Sequence, residues 1–405
     1  MASLVARVGA AHEQERQQSS ANITSDRGDT LIRLDSALTS VTIPLARRIR
    51  SVVIDPAGYA LDKDYANNFY PRKFRIQPLA SYPALDEYRV YIFPYFWYGT
   101  VDGFTPGLYL AGARFIDWEF IRGDHQWVAG GYYGLRSRRI YANGQYQTPI
   151  WFQHGFRCRL ISGGSWSRER SARLGLDAAF SVPFTTKPSW QVRTTLNYRQ
   201  IDLAEIDSFA AFDSMDWNAG AYATWETSVK YQYRKWTAGF DAVWAPALDF
   251  TDWNYGRITA EIKTNARFIL PVGIRLFGGQ VIGKAPKQQQ LYLSGNLRIP
   301  MIPDLLFSQQ GYFSPQEHIH IPGGGNLRGF QTRHIKTDGL LALNCELPSR
   351  GMFRFFGDIA AYRLADDWET AWDWGFRLVL GPVSFNVPIS ADGEKVWDAN
   401  WSIGF

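Results

Sequence analysis

The chain has 405 residues, with 43 Lys and Arg against 38 Asp and Glu for a formal charge of +5, and aromatic residues make up 16% of it. No apolar run is long enough for a transmembrane helix, and no basic run marks a nucleic-acid partner, so both classes are excluded. A mean hydropathy of −0.25 does not exclude a membrane protein, because strict alternation of apolar and polar residues averages out a lipid-facing surface.

Residues 1–80 hold five aromatic side chains and no Trp, whereas the other 325 residues hold 58. That step puts a boundary near Ser81–Asp86 and divides the chain into a polar N-terminal segment, 1–82, and a second region, 83–405. The first 35 residues are polar and charged and read as a helix or a loose linker. Ser40–Ile54 reads as two short strands, followed by the turn signal Asp55-Pro56-Ala57-Gly58. So few large apolar side chains could bury only a small core, as in the tail of a larger periplasmic domain. Met1–Arg7 lacks the apolar core of a secretory signal, which leads us to expect a leader or further domain upstream of this sequence.

Beyond the boundary the dominant period is two. Trp190, Val192, Thr194, Leu196 and Tyr198 alternate with Gln191, Arg193, Thr195, Asn197 and Arg199. Ala221–Tyr233 and Arg257–Phe268 follow the same rule, which gives each strand one apolar and one polar face. Many of these runs reach ten residues, the length of a tilted membrane-crossing strand, where globular strands average five or six. Trp and Tyr crowd the apolar face, as suits a membrane–water interface, and charges of both signs occupy the other, as a wet lumen permits. Without spanning helices, a chain that crosses lipid must close into a barrel. The fold class is therefore all-β, a transmembrane antiparallel β-barrel.

Strands fall near 88–98, 104–119, 125–137, 147–163, 168–184, 188–203, 217–232, 235–247, 255–270, 273–284, 337–348, 352–362, 371–380, 383–389 and 396–405. A bacterial barrel with both ends on one side needs an even number. Sixteen strands follow, the missing one placed at Gln290–Arg298. Leu380-Gly381-Pro382-Val383 is the clearest hairpin. The first strand carries Pro94, which cannot donate to a ladder, and aromatic residues on both faces. The last strand alternates from Trp397 to a terminal Phe405. We expect a weakened seam between Tyr88–Tyr98 and Trp397–Phe405.

A long segment, 285–335, separates two of the strands and contains Ile321-Pro322-Gly323-Gly324-Gly325-Asn326-Leu327-Arg328-Gly329-Phe330. Glycines allow positive φ and close backbone approach, here around a single Arg. By spacing alone a surface loop with an incidental Arg explains it equally well. Alternation turns Asn344 and Glu346 to the polar face of one following strand, and Phe356 and Asp358 to that of the next.

This combination resembles the outer-membrane assembly-factor superfamily: the barrel-assembly insertases, their translocation-and-assembly relatives and the two-partner-secretion transporters. The resemblance lies in Gly323-Gly324, Leu327-Arg328-Gly329-Phe330, the strand bearing Glu346, and Phe356-Gly357-Asp358-Ile359-Ala360, where Ala360 stands in place of the motif's second Gly. It spans about 273–405 with specific motifs. It implies a loop folded into the lumen with Arg328 paired to Glu346 and Asp358, and a seam that parts for client polypeptides. No transport repeats fit into the first 80 residues. A shorter resemblance, Arg50-Ser51-Val52-Val53-Ile54-Asp55-Pro56 to Asn67-Asn68, is to the closing stretch of aminopeptidase-N-like metallopeptidases that carry a C-terminal barrel.

Catalytic and metal motifs are lacking: there is no His-Glu-x-x-His, no Gly-x-Ser-x-Gly and no phosphate-binding Gly-Lys-Ser/Thr. His318 and His320 flank one residue and read as a solvated strand end. Cys158 and Cys345 belong to strands too far apart for a disulfide. We expect no enzyme activity in this chain, and no cofactor or metal. The expected location is the outer membrane of a Gram-negative bacterium. Expected partners are the lipid bilayer and lipopolysaccharide, with a client polypeptide or an accessory periplasmic protein. A translocation or assembly barrel is the leading reading. A membrane anchor for a periplasmic metallopeptidase-like domain and a passive pore are the alternatives.

Overall fold

The computed structural model describes strands at 2–6, 19–25, 28–34, 41–45, 49–54, 69–70 and 74–78. From residue 88 it describes everything except 100–101, 113–125, 154–155, 167–168, 181–187, 203–216, 268, 296–319, 321, 332, 334, 349, 366, 382, 397–398 and 404–405. The chain divides into two compact units, Met1–Phe93 with Leu110–Gln126, and Pro94–Tyr109 with Trp127–Phe405.

In the first unit Ala2–Ala6 pairs with Val41–Leu45, while Ser19–Ser25, Gly28–Leu34, Ile49–Ile54 and Phe69–Tyr70 make a four-stranded sheet. The first 35 residues thus contain strands, not the helix or linker expected from their polarity. Ser19–Leu34 is a hairpin whose partner, Ile49–Ile54, comes from later in the chain, and tertiary pairing overrides weak local preference. Phe74–Pro78 pairs in parallel with Tyr88–Ile92.

From Tyr88 the strands are β1 (Tyr88–Gly99), β2 (Gly103–Gly112), β3 (Gln126–Gly134), β4 (Arg139–Gln153), β5 (Phe156–Trp166), β6 (Glu169–Phe180), β7 (Ser189–Ile201) and β8 (Gly220–Tyr233). They continue as β9 (Trp236–Ala245), β10 (Asn254–Arg267), β11 (Pro271–Lys284), β12 (Gly339–Leu347), β13 (Phe353–Leu364), β14 (Asp367–Leu380) and β15 (Val383–Ala391). The last, β16, is broken into Glu394–Lys395 and Asn400–Ile403, both paired with β15. The strand order is that of an up-and-down barrel of 18 segments; with the halves of β16 taken as one and Phe74–Pro78 set aside, sixteen antiparallel strands remain.

The even count is reached in a different place from the one expected. What reads as one strand at 147–163 is two, β4 and β5, meeting in a tight hairpin where Gln153 faces Phe156. A register shift between Pro149 and Trp151 flips the faces there, so period two is lost where the turn should show. Gln290–Arg298 supplies no wall strand: only Leu291–Tyr292 is extended, paired with Lys336–Thr337. Leu380 does face Val383 across a two-residue turn.

Alternation decides which side chains face outward. Trp225, Trp244, Ile262, Leu276, Leu341, Phe355 and Trp372 are exposed on the outer face. The intervening Thr224, Asn344, Phe356, Asp358 and Asp373 are buried on the inner one. Polar inner residues pair across strands, as in Arg199 with Glu226 at 3.3 Å and Arg275 with Glu261 at 3.1 Å. Cys158 lies on β5 and Cys345 on β12, and both are free.

Candidate functional site: the loop tip inside the wall

The segment between β11 and β12 is laced to itself before it meets the wall. Leu293 N–H donates to the Ile335 carbonyl at 3.1 Å, and Gly325 N–H and Leu327 N–H donate to the carbonyls of Tyr292 and Leu293 at 2.9 and 3.0 Å. This close approach explains the glycines. At Gly324, φ is +48° and a Cβ would lie 2.4 Å from the Tyr292 carbonyl, so a side chain is excluded both by conformation and by space. Gly323 and Asn326 also take positive φ. Leu327 and Phe330 enter a dry cluster with Leu291, Leu293, Leu340, Ala360 and Ala391.

This lacing delivers Arg328, 3% exposed, to the inner face of β12 and β13. Its Nη1 lies 2.8 Å from Glu346 Oε1, and its Nε lies 3.3 Å from Asp358 Oδ2. The guanidinium carbon stands 4.1 Å from the centroid of the Phe356 ring, a cation–π contact beneath the ion pairs. Gly323, Gly324, Leu327, Arg328, Gly329, Phe330, Glu346, Phe356 and Asp358 therefore come together as one cluster. Desolvated, charge-assisted contacts of this kind hold position far better than exposed ones.

Several members of the cluster escape sequence reasoning. Glu346 also receives Arg354 Nη1 at 3.1 Å and Arg377 Nη1 at 3.0 Å, so three guanidinium groups converge on one carboxylate. Asn344 Nδ2 donates to the Gly325 carbonyl and to Asp358 Oδ1 at 3.0 and 3.1 Å. The peptide unit between Arg328 and Gly329 is held at both ends. Gly329 N–H donates to Asp373 Oδ2 at 2.6 Å, and Asn400 Nδ2 donates to the Arg328 carbonyl at 3.1 Å. A Cβ on Gly329 would sit 3.1 Å from Asp373 Cβ and 3.2 Å from Ala391 Cβ, which leaves no slack for a larger residue. Parity was the one available signal for Asp373: it faces inward between the exposed Trp372 and Trp374.

A second anchorage lies where the loop leaves β11. Asn218 N–H donates to Gln288 Oε1, and Gln288 Nε2 returns to the Asn218 carbonyl, both at 3.0 Å. Gln289 Nε2 donates to Tyr222 Oη at 3.1 Å, and Arg257 Nη1 donates to Gln289 Oε1 at 3.0 Å. Nothing in a run of Gln distinguishes this clamp from solvated polarity.

His320 is not the solvated residue its spacing suggests. It is buried, with Nδ1 3.0 Å from Gln331 Oε1 and Nε2 3.0 Å from Asn326 Oδ1. Burial pushes its pKa down to about 4, against the raising effect of the two amides. His318 lies outside the described residues. Of the seam residues, Pro94 is exposed, Tyr88 is described in its backbone alone, and Trp397 and Phe405 lie outside the described residues. Among the described residues, no group of three or more His, Cys, Asp or Glu could hold a metal ion.

No family model and no curated protein matches the sequence. Among solved structures the chain is similar to BamA from Haemophilus ducreyi lacking POTRA domains 1–3. Identity is 11%, covering 77% of this chain and 69% of that one, with a TM-score of 0.42. It is also similar to CdiB from Acinetobacter baumannii, at 8% identity over 82% of this chain and 73% of that one, with a TM-score of 0.39.

Proposed function

We propose that this chain is an outer-membrane β-barrel of the polypeptide translocation and assembly type, its lumen occupied by the 285–335 loop latched through Arg328. The observation that carries the reading is the grip on the Arg328–Gly329 tip, whose side chain and peptide unit engage Glu346, Asp358, Asp373 and Asn400. A passive solute pore has no use for a buried ionic anchor on a lumen loop. A switchable plug does, because ion pairs shielded from water hold firmly yet release as a set once water enters. The motif's likeness to the assembly-factor superfamily supports the same reading. In this view β1 and β16 form the seam at which a client enters, with Tyr88, Pro94, Trp397 and Phe405 at its edges. The 1–82 segment belongs to the periplasmic side, where an accessory protein would supply the substrate capture that this segment lacks.

Photo-crosslinking tests the proposal. A photoreactive residue at Asp241 or Lys230, both exposed on the polar face of the wall, should capture a polypeptide in growing cells. Depletion of the protein should remove particular polypeptides from the outer membrane or the medium. If no adduct forms and both fractions are unchanged on depletion, the translocation reading is wrong. The anchor reading would then move ahead, since Ile49–Ile54 already belongs to a sheet outside the wall and overlaps the metallopeptidase-like stretch.

A further inference from the structure

We propose that the docked loop tip is the inner brace of the terminal strand, and that Asn400 is the positioning residue that transmits the hold. This rests on the loop-latch reading above and adds to it a direction: the loop acts on β16.

Other wall strands run nine to fifteen residues, whereas β16 is split, and among the described residues its terminal part pairs with β15 over four, Asn400–Ile403 against Val383–Asn386. So short a ladder gains from side-chain support across it. Two side-chain bonds on the inner face reinforce it: Ser384 Oγ to Ser402 Oγ at 2.7 Å, and Asn386 Nδ2 donating to Asn400 Oδ1 at 2.9 Å. All four residues are buried.

The loop supplies two further bonds, both to this four-residue piece. Asn400 Nδ2 donates to the Arg328 carbonyl at 3.1 Å, and His320 N–H donates to the Trp401 carbonyl at 2.8 Å. Asn400 is therefore two-sided. Its oxygen takes a hydrogen from the wall, and its nitrogen gives one to the loop, so one planar amide joins β15 to the loop tip. The peptide unit it grips is the one whose N–H is fixed by Asp373, and the adjoining guanidinium is fixed by Glu346 and Asp358. Undocking Arg328 would carry its carbonyl away from Asn400 and remove the loop's share of the strand's support. Coupling of this kind runs both ways: freeing β16 must also loosen the loop.

Hydrogen exchange read by mass spectrometry on the intact protein in lipid nanodiscs separates the possibilities. Asn400→Asp keeps shape and the acceptor for Asn386, but sets an oxygen against the Arg328 carbonyl; Asn400→Ala is the second variant. Losing a buried hydrogen bond of this kind should speed exchange at Asn400–Ile403 by about ten- to a hundredfold. Peptides from β5 to β9 should not change. Protease cleavage of the loop should rise in the Asn400 variants, and Arg328→Ala should speed exchange at 400–403 in return. If Arg328→Ala frees the loop while exchange at 400–403 stays at the wild-type rate, the brace is overturned and the latch stands. If Arg328→Ala does not free the loop, the latch reading fails. Unchanged exchange in Asn400→Asp would then overturn the brace as well.

Discussion

Replacing Arg328 with Ala removes the one side chain that contacts Glu346, Asp358 and Phe356 together. The two carboxylates feel the loss differently. Glu346 keeps Arg354 and Arg377 at 3.1 and 3.0 Å, so its charge stays matched. Asp358, whose side chain is fully buried, keeps the Asn344 amide and the neighbouring carboxyl of Asp373, neither of which brings a positive charge. The destabilisation should therefore come from Asp358, at about 3–5 kcal/mol, the cost of stranding one partner of a buried pair. The assay is the temperature at which the folded, fast-migrating gel form gives way to the unfolded one, read beside channel conductance in planar bilayers. We expect Arg328→Ala to lower that temperature and raise conductance. Asp358→Asn in the same background should recover part of the stability, with a coupling of about 0.5–3 kcal/mol in a double-mutant cycle. Unchanged melting and conductance in Arg328→Ala would refute the reasoning, because no stranded carboxylate could then exist.

Gly329→Ala should cost about 1–3 kcal/mol through overpacking against Asp373 and Ala391, and its melting profile should fall with every charged contact still formally possible. Gln289→Ala breaks the side-chain bonds to Tyr222 and Arg257, leaving Arg257 only the Gln289 carbonyl, and should expose the 285–292 arm to protease, while conductance stays below that of Arg328→Ala. The His320 pKa is lowered in the folded protein, so the unfolded chain binds the extra proton first and stability falls as pH drops from about 6.5 toward 4. The loss should reach about 2 kcal/mol near pH 5. Loop proteolysis followed across that range should steepen in the wild type and flatten in His320→Gln.

Legibility in the sequence followed whether a residue's role depends on its own side chain. The wall was readable because an apolar outer face and a polar inner one impose period two on Trp190–Arg199 and Ala221–Tyr233. It failed where a bulge near Ile150 broke the period and fused β4 with β5. Arg328, Glu346 and Asp358 were readable because charge and parity both pointed inward. The hold of Asp373 and Asn400 on the loop was not, since their partners there are the amide and carbonyl of the backbone at Gly329 and Arg328, which no residue type advertises. The Gln288–Asn218 clamp was hidden for a related reason: paired amides bring together elements about 70 positions apart.

The two anchorages of the loop also bear on how the protein assembles. The rear one reaches back from Gln288 to Asn218 over 70 positions, and the forward one reaches on from Arg328 to Asn400 over 72. Neither requires β1 to β7. Both clamps lie within the span from Asn218 to Ile403, as two loops of similar closure entropy sharing one connecting segment. The 285–335 loop can thus be tied at both ends by the later half of the wall alone.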